Sequence, residues 1–212
     1  MKREFFILCL LIWMIGAPLA SGNVQPPKGC LEADIIFLLD MSSSVRGYES
    51  FIVDAVEEFS NSFTLSDDGI KIGFATFASV LGYTVQPTGS NGILESGIDT
   101  LRIVGADGGT GMSPAFAFAY NAFGQSADDR GKIPMRIVVC ISDGELGDWE
   151  SAIMWAKALK SYAGVHIYCI NTDAEMSSGE DILIDIASSP PHYAASDYTS
   201  LTQAVKALDL CM

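Results

Sequence analysis

The chain is 212 residues long, 49% hydrophobic, and carries a formal net charge of −14. That length and apolar content suffice for one well-buried core. No cluster of Lys or Arg offsets the acidity, which excludes nucleic acid, heparin-like polyanions and acidic membranes as partners and leaves cations or basic protein patches.

In chain order, Lys2 and Arg3 precede the apolar stretch Phe5 to Ile15, and small residues follow around Ala20 and Gly22. Residues 1–22 read as a secretory signal peptide, with 23–212 as a single domain; an uncleaved signal anchor is the alternative, against which the small-residue segment argues. No later stretch approaches the roughly 18 apolar residues needed to span a bilayer, and the polar tail does not suit a lipid anchor. The expected product is secreted, extracellular and not inserted in a membrane.

The first strand is the apolar run Asp34 to Leu39, which stops on Asp40 and is followed by Ser42 and Ser44. This places hard oxygen atoms at a strand's carboxyl end, where open α/β sheets put their ligands. Such atoms suit Mg²⁺ or Mn²⁺ better than Zn²⁺, which favours Cys and His. Ser44 could equally be a helix N-cap. Helical spacing then runs from Tyr48 to Phe59, with Glu49, Asp54, Glu57 and Glu58 on the other face. A polar break at 61–68 leads into a strand over 70–76, and Val80 to Val85 returns as a hairpin edge. A short helix over 93–101 precedes a glycine-rich loop, Gly105 to Gly111, that presents Thr110.

Ser113 and Pro114 start a helix that is apolar on nearly all sides, as expected of one packed deeply on the sheet. Met135 to Ser142 is a strand ending in Asp143-Gly144. Trp149 to Tyr162 reads as a helix, Val165 to Ile170 as a strand and Asp181 to Ala187 as a helix. A short strand near His192 to Ala195 and a helix over Tyr198 to Leu210 complete the series. Strands alternating with helices predict an α/β domain with a doubly wound, mostly parallel sheet and helices on both faces.

Asp40, Ser42, Ser44, Thr110 and Asp143, in this order and context, resemble the metal-ion-dependent adhesion site of the von Willebrand factor type A domain family. The match runs from about Cys30 to Cys211. The resemblance implies six strands with one antiparallel edge strand. It implies that Ser42, Ser44 and Thr110 ligate Mg²⁺ or Mn²⁺ directly, and that Asp40 and Asp143 act largely through bound water. It also implies an open coordination position for a Glu or Asp carboxylate of an extracellular or matrix protein. Arg46, Tyr48, Met112, Glu145 and Trp149 are candidate rim residues by their nearness in sequence. Cys30 and Cys211 bracket the domain and, as in many extracellular members of that family, are expected to form a disulfide closing the termini. Cys140 and Cys169, each inside an apolar strand, read as free buried thiols or as a second bridge.

Three other readings compete: a cation that only ties the loops together, a metal-independent matrix assembly module, and a metal-assisted hydrolase. Against the last, no second acid follows Asp40 at Met41 or Ser42. There is also no Gly-x-Ser-x-Gly elbow, His-Glu-x-x-His or phosphate loop. The two histidines, His166 and His192, read as packing or surface residues. Only four residues separate Gly144 from Trp149, which leaves no room for the extra helix of collagen-binding integrin domains.

Overall fold

A computed structural model describes residues 32–125, 133–161, 165–173 and 177–208. The expected signal segment and the Cys30–Cys211 bridge lie outside the described residues. A six-stranded sheet runs in the order β3-β2-β1-β4-β5-β6. Its strands are β1 (Ala33–Asp40), β2 (Ile70–Phe77), β3 (Leu81–Thr88), β4 (Met135–Ser142), β5 (Val165–Asn171) and β6 (Tyr193–Ala195). All pairings are parallel except β2 with β3, so β3 is the antiparallel edge. Pro87 lies in β3, where an edge strand tolerates a residue without an N–H.

Every residue of β1 is buried, as a strand covered on both faces requires, and this explains its unbroken apolar run. Alternate side chains point to opposite layers. Ile35, Phe37, Leu39, Ile137 and Val139 face α1 (Glu49–Ser60), α2 (Asn91–Leu101) and α6 (Leu201–Lys206). Ile36, Leu38, Val138 and Cys140 face α3 (Ser113–Gln125), α4 (Trp149–Ser161) and α5 (Ser177–Ile186). Cys140 and Cys169 are register partners on β4 and β5, both buried and both free thiols.

Several helical boundaries differ from the sequence reading, α2 beginning at Asn91 rather than 93 among them. The last helix opens on a 3-10 turn, Tyr198–Ser200, that leads directly into α6 at Leu201. Asp197 caps that turn, its side chain accepting the Ser200 N–H at 2.8 Å. The fifth helix begins at Ser177 rather than Asp181. Among the described residues, no helix is long and apolar enough to cross a membrane.

The strand order fixes where a ligand can sit. From β1 the chain works outward through β2 and β3, and from β4 through β5 and β6. The crevice between the carboxyl ends of β1 and β4 is therefore the topological switch point. The carboxyl ends of β4, β5 and β6 run level: Ser142 pairs with Asn171, and Asn171 with Ala195. Backbone bonds continue past them, from Thr172 N–H to the Ser142 carbonyl at 3.0 Å and from Ser196 N–H to the Asn171 carbonyl at 2.8 Å.

Candidate metal centre

Asp40 ends β1 and is fully buried beside the switch point. One carboxylate oxygen accepts the Ser42 N–H at 2.9 Å, and the other accepts the Ser142 hydroxyl from β4 at 2.6 Å. Burial pushes its pKa up to about 6, against the hydrogen bonds from Ser142 and Ser42, and the Asp143 charge adds to the rise. Neutral groups alone donate these bonds to Asp40, so its charge lacks the compensation that a buried carboxylate normally needs. Ser42 is buried and Ser44 exposed, with their hydroxyl oxygens 2.9 Å apart. Ser44 caps no helix: the short 3-10 turn over Ser43–Val45 contains it and has Ser42 at its N-cap position.

Asp143 follows β4 and is buried, and one of its oxygens accepts the Glu145 N–H at 3.1 Å. The next residue, Gly144, has φ +83°, a left-handed conformation that a side chain rarely adopts. A Cβ there would also lie 2.7 Å from Gly179 Cα, so the turn presses backbone to backbone against the start of α5.

Thr110 is half-buried on the loop before α3, and that loop is laced to its neighbours. Ser43 donates its N–H (3.0 Å) and hydroxyl (2.6 Å) to the Gly108 carbonyl, and Asp107 N–H bonds the Met41 carbonyl at 3.0 Å. Gly147 N–H bonds the Thr110 carbonyl at 2.7 Å. Asp148 accepts both the Met112 and Ser113 N–H groups at 2.9 Å, capping α3 from a different loop. The three segments carrying the five candidate residues are thus one hydrogen-bonded unit.

The rim candidates separate. Arg46 turns to Asp107 and the Ala106 carbonyl, an exposed pair. Tyr48 is exposed, with its ring stacked on Tyr198 at 4.2 Å and 5° between planes. Glu145 and Trp149 are exposed. Met112 is corrected: it is fully buried in the α3–α4 layer, because the Asp148 cap turns its backbone into the helix start and its side chain goes beneath. Sequence reasoning missed the roles of Ser142 and Asp148. A hydroxyl beside Asp143 and an acid one residue before Trp149 were visible, but their partners are distant in sequence. His166 and His192 lie together, 5.7 Å between ring centroids, with His166 near the end of β5 opposite the switch point.

The residues present fit a hard divalent cation. The donors are oxygens only, the buried carboxylate lacks a cationic partner, and two hydroxyls converge beside it. Among the described residues, no trio of His, Cys, Asp or Glu forms the nitrogen- or sulfur-rich cage of a structural zinc site.

An open α/β sheet with an oxygen-lined loop cluster at its switch point defines a class of ligand-binding domain rather than one chemistry. The chain belongs to the von Willebrand factor type A domain family, whose sequence profile matches residues 34–207. Its fold is similar to that of the manganese-loaded TRAP protein of Plasmodium vivax, with 20% identity and a TM-score of 0.66, covering 84% of this chain and 72% of that one. It is likewise similar to proximal thread matrix protein 1 of the mussel byssus with a zinc-occupied MIDAS motif, with 21% identity, a TM-score of 0.65, and coverages of 85% and 48%. A third relative in fold is the pilus adhesin SpaC of Lactobacillus rhamnosus GG, at 15% identity and a TM-score of 0.67, covering 83% of this chain and 29% of that one. The chain thus spans less than half of the mussel and bacterial chains.

Proposed function

We propose that this protein is a secreted, non-enzymatic adhesion or recognition domain that binds an extracellular protein through a divalent cation. Asp40, Ser42, Ser44, Thr110 and Asp143 would hold Mg²⁺ or Mn²⁺. When bound, the ion supplies a Lewis-acidic position that a Glu or Asp carboxylate of the partner completes. The chain's own residues prepare that position. Ser142 and the Ser42 backbone orient the Asp40 carboxylate, and the Asp148 cap holds the Thr110 loop against the Asp143 loop. The single observation that carries the reading is the buried Asp40 carboxylate with neutral partners only, beside paired serine hydroxyls at the switch point. The adhesin and MIDAS descriptions of the fold's relatives support it as well.

A pull-down from native extracellular fluid in Mg²⁺ against EDTA tests it, with Asp143→Ala as control. Capture should be lost in EDTA and in the variant, provided circular dichroism shows the variant folded. Capture that persists in both would favour a metal-independent matrix assembly module. Turnover of phosphoesters or peptides that Asp40→Ala abolishes would instead establish a hydrolase.

A further inference from the structure

The sheet has one long open edge. Among the described residues β3 pairs with β2 alone, so its outer side presents backbone groups with no strand beside them. Tyr83 donates its N–H to the Thr76 hydroxyl at 2.8 Å, on the β2 side. Backbone groups alternate along a strand, so the neighbouring Gly82 and Thr84 direct theirs to the open edge. Pro87 takes no donor from that side, since its nitrogen lies 2.6 Å from where a Cβ on Gly73 of β2 would sit. An open groove of about 740 Å³ follows this edge between β3 and α2, flanked by Gly92, Ile93 and Ser96 of α2.

Charge sets this edge apart. From Ile72 to Leu94 there is no Asp, Glu, Lys, Arg or His, in a chain whose formal net charge is −14. None of the described residues that line the groove is charged. Glu95, the first acid after the run, faces the hollow between α2 and α1 instead. Natural edge strands use charged side chains, Lys above all, to prevent pairing, and β3 has none. Apolar side chains stand in their place, with Val80 68%, Leu81 37% and Ile93 58% exposed.

We propose that β3 is the contact between two copies of this chain, paired antiparallel across a two-fold axis. Charge selects that occupant. Two such acidic chains repel wherever their charged surfaces face one another, and a two-fold contact places each patch against itself. A neutral, apolar edge with free hydrogen-bonding groups meets its own copy with no like charges opposed. An axis through Tyr83 sets Gly82 of one copy opposite Thr84 of the other, each donating to and accepting from its counterpart. That axis is normal to the sheet, so both α2 helices lie on one face and the two sheets become continuous. Strand directions reverse across it, and the carboxyl ends of β1 and β4 point opposite ways in the two copies. On the adhesion reading, such a dimer cross-links two partners rather than gripping one surface twice.

Sedimentation equilibrium of the refolded protein in EDTA tests the contact apart from the cation. The average mass should rise from one chain towards two between about 5 and about 500 µM protein. Added salt should strengthen association, because it screens the acidic surfaces and leaves strand pairing intact. Thr84→Pro removes an outward N–H that β2 does not use, which an edge position tolerates, and should weaken association about tenfold or more. Ile93→Glu, on the exposed side of α2, should weaken it about fivefold. In amide exchange, Gly82 and Thr84 should be protected at high protein concentration and lose that protection on dilution. A single chain at every concentration would overturn the dimer and leave the edge to a strand of another protein. A dimer that both variants leave intact would overturn it too. Should Thr84→Pro fail to fold, Ile93→Glu and exchange on the unaltered protein decide. Mg²⁺ uptake without dimerisation would remove this proposal alone, whereas dimerisation without Mg²⁺ uptake would remove the adhesion reading and keep the dimer.

Discussion

The candidate centre has a floor and a rim, and they are built differently. The floor is Asp40, Ser42 and Ser142, buried at the ends of two central strands and hydrogen-bonded across the sheet. The rim is Thr110, Ser44 and the Asp143 loop, reached only through turns and held by backbone bonds and the Asp148 cap. Strand ends in a packed sheet cannot adjust without disturbing the core, whereas loops can. On the proposed reading, the floor would fix where a cation sits and set the electrostatics, and the rim would govern how completely the shell closes and what approaches it.

Removing the carboxylates should break this contrast most severely. Asp40→Asn and Asp143→Ala should each lower Mg²⁺ or Mn²⁺ affinity by about a hundredfold or more, on the scale at which lost ligands and their supports weaken metal sites. The two should differ in stability. Asp40→Asn removes an uncompensated buried charge and should leave the metal-free protein as stable as the parent or more so at neutral pH. Calorimetric titration with thermal melts of the same samples reads both effects.

The pH dependence sharpens the floor's role. In the metal-free fold the Asp40 pKa is raised to about 6. The folded state therefore holds a proton that the unfolded chain has already released above the ordinary carboxylate value. Asp40 then contributes its full stability only below that value, and the contribution is lost as pH rises through about 6. At neutral pH the loss amounts to about 3 kcal/mol. Cation affinity runs the other way, falling by about tenfold per pH unit below the Asp40 pKa because the ion must displace the proton. Melting curves with and without Mg²⁺ across pH 4 to 8 check both signs. Asp40→Asn should flatten the two dependences.

The rim effects should be smaller. Asp148→Ala removes a cap that serves two helix N–H groups and should destabilise the fold by about 1–2 kcal/mol. It should also weaken cation binding through a looser Thr110 loop. Thr110→Ala should lower cation affinity by about tenfold and leave the melting temperature within a degree or two, since no core contact changes. The exposed Arg46–Asp107 pair should matter least, with Arg46→Ala within about 0.5 kcal/mol of the parent. An Arg46→Ala effect larger than that of Asp148→Ala would reverse the assignment of what holds the rim.

The sheet was legible because β1 and β4 are apolar runs that stop abruptly on acids, and a strand buried on both faces leaves no other pattern. The three loop segments were legible for the same reason: each follows such a run or precedes a clear helix start. Partnerships that close only in space were not. Ser142 reaches Asp40 across 102 residues, and Asp148 caps a helix that begins 35 residues before it. Met112 was misread because nearness to Thr110 in sequence says nothing about which way the next side chain turns.

Isothermal titration of Mg²⁺ and Mn²⁺ into the refolded protein at pH 7.5 tests the centre most directly, with Asp40→Asn alongside. Saturable uptake at one site by the parent, absent in the variant, is the result expected at roughly millimolar ion or below. Heats indistinguishable from dilution in a parent that is demonstrably folded would contradict it.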